Sequence, residues 1–217
     1  VFVISVAAEL AGMHAQTLRQ YDRLGLVTPS RTRGGGRRYS QRDVALLRDL
    51  VSLARTTPSG ANLQPLKYVL SCSAEGNALV YETLAWAAYL PEWNGPPEHE
   101  RPTAYVVMLY DRTITQAVKT RLAEFDAGIS AQTILLGAVE RGLGGCIFAS
   151  VRREELGRRL GLPDTLEIGL VIALGRPVDR VVLDRLPPGG SVKYWRESDG
   201  THHVPKRGLE ELILKEL

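Results

Sequence analysis

Apolar side chains recur at three- and four-residue spacing in several stretches of this 217-residue chain, and run together in others. Val6, Ala7 and Leu10 form one short stripe, interrupted by Gly12. Leu18, Tyr21 and Leu24 or Leu26 form a second, ended by Gly25. Two short helices joined by a tight turn are predicted there. Val44, Leu47, Leu50, Val51 and Ala54 make a third stripe, on one helix of about 15 residues. Ser40 and Asp43 give it a capping-box-like start, with Asp in place of Glu, and Pro58 gives it a stop. From Asp126 to Arg141 nearly every position is apolar or small, so that helix is expected to be buried on several sides. Gly142, Gly144 and Gly145 end it. Residues 152–163 predict a short amphipathic helix. Leu66 to Leu70 reads as an apolar strand, and 166–177 holds a central one. Cys146 to Phe148 reads as a buried strand or extended loop ending at Ala149-Ser150. Asp199-Gly200 is a hairpin signal between two strand-like pieces.

Charge separates the first quarter from the rest. Residues 1–50 carry eight arginines, no lysine and four acids, whereas the remaining 167 residues carry 19 basic and 20 acidic side chains. An anionic partner is therefore expected for the head and an ordinary surface for the body. The second predicted helix opens with His14, Gln16 and Thr17 and carries Arg19 and Arg23, which suits docking in a DNA major groove. The segment TPSRTRGGGRRYS follows. Its three glycines allow a sharp hairpin flanked by Arg31, Arg33, Arg37 and Arg38, a basic wing able to lie along phosphates. The glycines do not fit a nucleotide-phosphate loop, because neither the Gly-Lys-Ser/Thr ending nor a strand–turn–helix context is present.

Apolar content of 44% and charged content of 24% are ordinary for a globular chain. No run is long enough to span a bilayer and no signal peptide is evident, so no membrane association is expected. The chain starts with Val1, which leaves open a start upstream or one that was removed. Cys72 and Cys146 allow at most one disulfide and have no metal-ligand spacing, so a reducing, cytoplasmic setting is expected. His202 and His203 are adjacent and point apart on a strand, so no metal site is expected.

Candidate chemistry lies in the body. Within ARTTPSGANLQPLKYVLS, Pro58 and Gly60 shape a turn that places Ser59, Asn62 and Gln64 within six residues, just before an apolar strand. A flavin ring needs such a mixture: a donor for its carbonyls, an acceptor for its ring N–H, and an apolar wall. On its own the motif is more often a plain polar turn than a ligand site. Backbone N–H groups near Gly145, Ala149 and Ser150 can donate to a ring nitrogen, and Lys206-Arg207 is a candidate phosphate clamp.

Two resemblances emerge from these residues. AAELAGMHAQTLRQYDRLGLVTPSRTRGGGRRYSQRDVALLRDL resembles the winged head of MerR-type regulators, especially their heat-shock repressor branch. The resemblance implies that the helix from His14, with Gln16 and Thr17, reads bases of double-stranded DNA. It also implies that Arg19, Tyr21, Arg33, Arg37, Arg38 and Tyr39 hold phosphates or brace the wing. The further head helices and long coiled helix of that pattern do not follow. PSGANLQP, the GLGGC helix end and the HHVPKRGLEELI tail together resemble the FMN-dependent nitroreductase family. That resemblance implies an α+β fold: a nitroreductase-like mixed-sheet sandwich carrying a small N-terminal winged helix-turn-helix head. It implies an intertwined homodimer with FMN at the subunit interface. Ser59 and Asn62 would then lie near the ring, Gln64 would support the turn, Ala149 and Ser150 would offer backbone contacts on the N5 side, and Lys206 and Arg207 would approach the phosphate, with Pro58, Gly60 and Gly145 completing the cofactor-binding set. Catalysis would pass hydride from NAD(P)H to a nitroaromatic, quinone or similar small acceptor. No protein acid, base or nucleophile is expected, since the flavin carries the chemistry.

The family usually opens with an Arg-x-Ser-x-Arg segment that grips FMN. Here the head, residues 1–47, occupies that position before the body, 48–217. Arg37, Arg38 and Ser40 look similar to it but fit the wing better. Three readings compete: a flavoenzyme with an exchanged N-terminus, a DNA-binding regulator that uses the flavin-type body to dimerise or sense redox state, and a hybrid with neither activity.

Overall fold

The structure, a computed structural model, describes residues 41–87, 89–90, 92–115 and 120–216. The predicted head helices and wing lie outside the described residues, and with them His14, Gln16, Thr17, Arg19, Tyr21, Arg33, Arg37, Arg38, Tyr39 and Ser40.

Helix α1 (Gln41–Ala54) runs unbroken along the predicted third stripe and leads into β1 (Leu66–Ser71). There follow α2 (Ala74–Tyr81), β2 (Ala104–Asp111), the single turn α3 (Arg112–Thr115) and the long α4 (Thr120–Glu140). The chain continues through β3 (Gly144–Phe148), α5 (Arg153–Leu160) and β4 (Leu166–Gly175). It ends with β5 (Val181–Arg185), β6 (Trp195–Arg196), β7 (His202–Lys206) and the short α6 (Leu209–Leu212). The mixture of helices and sheets is the α+β class read from the sequence.

Two sheets form. The larger has the order β1-β2-β4-β3 and is antiparallel throughout, with Tyr68 opposite Met108, Val107 opposite Val171 and Cys146 opposite Ala173. The smaller has the order β5-β7-β6; β5 and β7 are parallel, while β6 and β7 are the antiparallel arms of the Asp199-Gly200 hairpin. Mixed pairing is therefore confined to the small sheet.

The large sheet is covered on both faces, which the two-residue period of strand β2 makes visible. Val106 and Met108 point to a core shared with Leu47, Leu50 and Ala54 of α1 and with Ala127, Ala131, Ile134 and Ala138 of α4. Tyr105, Val107 and Leu109 point to the other core, with Val80 of α2 and Leu156 of α5. Because β2 and β4 are buried on both faces, their sequences read as continuous apolar runs rather than alternations.

The third stripe packs as its spacing predicts, except at its start: Leu47, Leu50 and Ala54 are buried, whereas Val44 is 36% exposed. Helix α4 departs further from expectation. One side packs on the sheet, but Phe125, Ile129, Leu136 and Val139 are 54%, 43%, 61% and 64% exposed. Among the described residues, the helix is covered on the face that packs on the sheet. Its Arg121–Glu140 stretch is long and apolar enough, by length and composition, to cross a membrane, yet its alanines are packed into the sheet core. Strand β3 is likewise an edge: Phe148 is buried, but Cys146 and Ile147 are exposed, against the expectation of a buried strand.

Candidate functional site

Helix α1 ends before Pro58 in a turn closed by Thr56 N–H to Leu53 O and Thr57 N–H to Ala54 O. The next residues do not relax into an open loop. Ala61, Asn62 and Gln64 all take positive φ, of 50°, 55° and 51°. Three non-glycine residues in the left-handed region within four positions are costly, and such strain persists only where neighbouring structure fixes it.

The fixing group is Asp126 on α4. Ser59 Oγ–H donates to Asp126 Oδ2 at 2.6 Å, and Gly60 N–H donates to Oδ1 at 2.9 Å. Gln64 N–H then donates to Ser59 Oγ at 2.9 Å. A side chain at Gly60 would put its Cβ 3.1 Å from Leu122 Cβ, so the close approach permitted there is to α4. One turn along α4, buried Ser130 continues the contact. Thr57 Oγ1–H already donates to Ala54 O at 2.7 Å, so Ser130 is the donor in its 3.3 Å contact with Thr57 Oγ1. Tyr68 of β1 also bonds Ser130; burial, aided by the Asp126 charge, pushes its hydroxyl pKa up.

Ser59 therefore faces inward, its hydrogen committed to Asp126. The outward groups are Asn62 and Gln64, both exposed. Gln64 Nε2 donates to Asn62 O at 3.2 Å and to Asn62 Oδ1 at 3.3 Å. The Asn62 main-chain carbonyl accepts only, which sets the nitrogen end of the Gln64 amide toward it. Asn62 Nδ2 and Gln64 Oε1 remain as an unused donor and an unused acceptor among the described residues.

The other sequence-predicted residues fall in two places. Ala149 and Ser150 leave the end of β3 exposed. Their carbonyls accept from Arg153 Nη2 at 2.9 Å and from Ala85 N–H at 3.0 Å, while neither N–H makes a backbone hydrogen bond among the described residues. Arg153 also donates to Ile168 O and Gly169 O, tying this corner to β4. Gly145 is a packing position: a Cβ there would lie 2.5 Å from Leu135 Cδ2 and 2.8 Å from Ala173 O. Beside Ala85, an open cleft of about 280 Å³ is lined by Leu84, Ala85, Trp86, Ala87, Leu90, Trp93 and Asn94. Lys206 and Arg207 lie at the end of β7. Arg207 pairs with Glu211 at 3.2 Å, whereas no ion pair engages Lys206 among the described residues. Also among them, no group of His, Cys, Asp or Glu could hold a metal ion. On β7, His203 lies between Asp184 and Glu197, at 2.8 and 3.2 Å.

Asp126, Ser130 and Tyr68 were absent from the sequence-based site. For Asp126 and Ser130 the signal was their four-residue spacing on a mostly apolar or small helix, which puts both on one face; Tyr68 carried none.

The nitroreductase family model matches residues 37–176. The chain belongs to the nitroreductase family. A nitroreductase of Desulfovibrio desulfuricans solved in complex with FMN shares the fold with a TM-score of 0.56 and 21% identity, over 83% of this chain and 87% of that one. A nitroreductase family protein of Clostridium difficile 630 aligns with a TM-score of 0.51 and 19% identity, over 65% and 75%. The N-terminus matches something else. The model for MerR family regulatory proteins covers residues 4–39. The heat shock protein HspR of Streptomyces coelicolor is 59% identical over 70 residues, 32% of this chain and 45% of the relative. The HTH-type transcriptional repressor CarH of Myxococcus xanthus is 39% identical over 74 residues, 34% and 24% of the two lengths. The chain thus spans less than half the length of these curated relatives. The nitroreductase and MerR matches overlap at residues 37–39, so Arg37, Arg38 and Tyr39 belong to both.

Proposed function

We propose that this nitroreductase-family chain is an FMN-dependent oxidoreductase acting as a homodimer. The observation that carries the reading is the strained loop that turns Asn62 Nδ2 and Gln64 Oε1 outward as a free donor and acceptor. That pair complements the carbonyl and ring N–H edge of a flavin, and the exposed N–H groups of Ala149 and Ser150 add donors for a ring nitrogen. Lys206, which makes no ion pair among the described residues, suits the phosphate, with Arg207 available where Glu211 releases it. Pro58 and Gly60 shape the turn, and Ser59 braces it from beneath. The residues present fit FMN, which when bound supplies hydride transfer from NAD(P)H to a nitroaromatic, quinone or similar acceptor. The chain's own groups bind and orient, and the Trp86–Trp93 cleft next to Ser150 suits a flat acceptor.

The dimer reading rests on two uncovered apolar faces. One is the Phe125, Ile129, Leu136 and Val139 stripe of α4, and the other is Leu209, Leu212 and Leu214 at the C-terminus. Exposed apolar area of this extent marks an association surface. The test combines FMN titration, desalting and a visible spectrum with NAD(P)H oxidation in the presence of a quinone. Retained yellow colour and turnover are expected. A colourless, inactive protein at saturating FMN overturns the reading. Sedimentation of the Leu136→Asp/Val139→Asp variant is expected to show monomers.

The match over residues 4–39, with its arginines, favours a second activity: the head, a unit of about the first 47 residues, binds double-stranded DNA through His14, Gln16 and Thr17 and the wing arginines. Binding that depends on sequence and falls steeply with salt supports it. Weak, unselective binding counts against it. We assign the protein to a reducing, cytoplasmic setting, which the free thiols of Cys72 and Cys146 support.

A further inference from the structure

We infer that Asp126 is a positioning residue that builds the flavin-binding loop before any cofactor arrives. The inference rests on the FMN reading above for its consequence, but on geometry alone for its cause. Asp126 is 4% exposed and, among the described residues, is the one Asp, Glu, Lys, Arg or His side chain that is buried. Burying a carboxylate is expensive unless hydrogen-bond donors surround it. Here both donors come from one short stretch of loop: the Ser59 hydroxyl and the Gly60 amide. The charge is therefore not spent on holding α4 to the sheet, which the alanine face of that helix does by packing. It is spent on the loop.

The consequence runs outward along one chain of hydrogen bonds. The carboxylate takes the Ser59 hydrogen, which turns the Ser59 lone pairs toward the Gln64 amide. That closes the loop between positions 59 and 64 and keeps Ala61, Asn62 and Gln64 in the left-handed region. The Gln64 side chain then braces Asn62. Without the buried charge, the three positive-φ residues have a lower-energy route back to extended backbone, and the outward donor and acceptor separate. Asp126 reaches the cofactor only through Ser59 and Gly60, so it is not a catalytic residue.

The experiment compares wild type, Asp126→Asn, Ser59→Ala and the double variant by two measurements. The first is amide hydrogen exchange at Gly60 and Gln64 in the flavin-free protein. The second is FMN affinity by fluorescence titration. In both single variants the two amides are expected to exchange faster while α4 and β2 amides stay protected. FMN affinity is expected to fall about ten- to a hundredfold, the loss of one charge-assisted hydrogen bond. The double variant is expected to be little worse than either single one, because both break one chain. Unchanged loop exchange in Asp126→Asn overturns the inference, as does full additivity. If Asp126→Asn fails to fold, Ser59→Ala, which leaves the buried charge its Gly60 donor, carries the same test. If wild type binds no FMN, the cofactor reading falls, and the exchange data still decide the role of Asp126.

Discussion

The two ends of the candidate site are built differently. The Ser59–Gln64 loop is seated on the core: a buried carboxylate and a buried serine on α4 hold it, and α4 itself is packed on a four-stranded sheet. The Lys206 end is seated on a three-stranded sheet whose strands β5 and β6 are largely exposed. Side-chain pairs hold it: Arg196 with Asp179 at 2.7 Å, and His203 between Asp184 and Glu197. Burial of its contacts shields the first end from salt. Polar pairing makes the second end sensitive to salt and acid. Under the proposed FMN reading, the loop that would meet the ring is preorganised within one chain, while the Lys206 end that would meet the phosphate relies on weaker contacts.

This contrast can be broken most forcefully at the core. Leu50 is fully buried between α1, α4 and the sheet, so Leu50→Ala is expected to cost about 2–5 kcal/mol of stability. Denaturant unfolding checks the value, and loop amides are expected to lose protection with it. An unchanged midpoint would place the loop outside the core's control. A smaller effect is expected at the other end. Lys206→Ala should weaken FMN binding by about 1.5–3 kcal/mol and reduce its salt dependence, without moving the unfolding midpoint. Arg207→Ala should do less, because Arg207 is already paired with Glu211. Titrations at two salt concentrations separate the two, and equal losses would contradict the free-cation assignment.

The smallest effect is a pH dependence confined to the small sheet. Burial, reinforced by the Arg196 charge, pulls the His202 pKa below its ordinary value. The unfolded chain therefore takes up the proton first, near the ordinary histidine pKa of about 6.5. Stability present above that pH is lost as pH falls toward the folded-state value. Asp179 acts later: its hydrogen bond to Arg196 lowers its pKa, so its contribution is present above the ordinary carboxylate range and disappears as pH falls through the lowered value. Trp195 stacks on His203 at 4.9 Å, so tryptophan fluorescence between neutral and mildly acid pH reports on the small sheet. A His202→Gln variant should flatten the first step.

Much of this was legible in the chain because it depends on local rules. The α1 stripe, the turn at Pro58–Gln64, the central strand at 166–175 and the Asp199-Gly200 hairpin follow from spacing and turn chemistry, and all appear where the pattern put them. The open face of α4 did not follow. A helix that is apolar all round signals burial, but composition does not say whether the burying surface comes from the same chain. Edge strand β3 failed for the same reason, since Cys146-Ile147-Phe148 reads alike at an edge or in the middle of a sheet. The family join was partly legible. The wing takes the place expected for the Arg-x-Ser-x-Arg segment, and the nitroreductase match, which begins at Arg37, shares residues 37–39 with the MerR match.

By itself the sequence determined which elements form, where the polar turn sits and where the positive charge gathers, because periodicity, capping and net charge act over a few residues at a time. Only the tertiary structure decided what each turn residue does. Ser59, expected near the ring, gives its hydroxyl hydrogen to a carboxylate 67 positions away. No local rule connects those two residues; the packing of α4 against α1 and β1 brings them within 2.6 Å, and burial makes that contact strong enough to hold a strained loop.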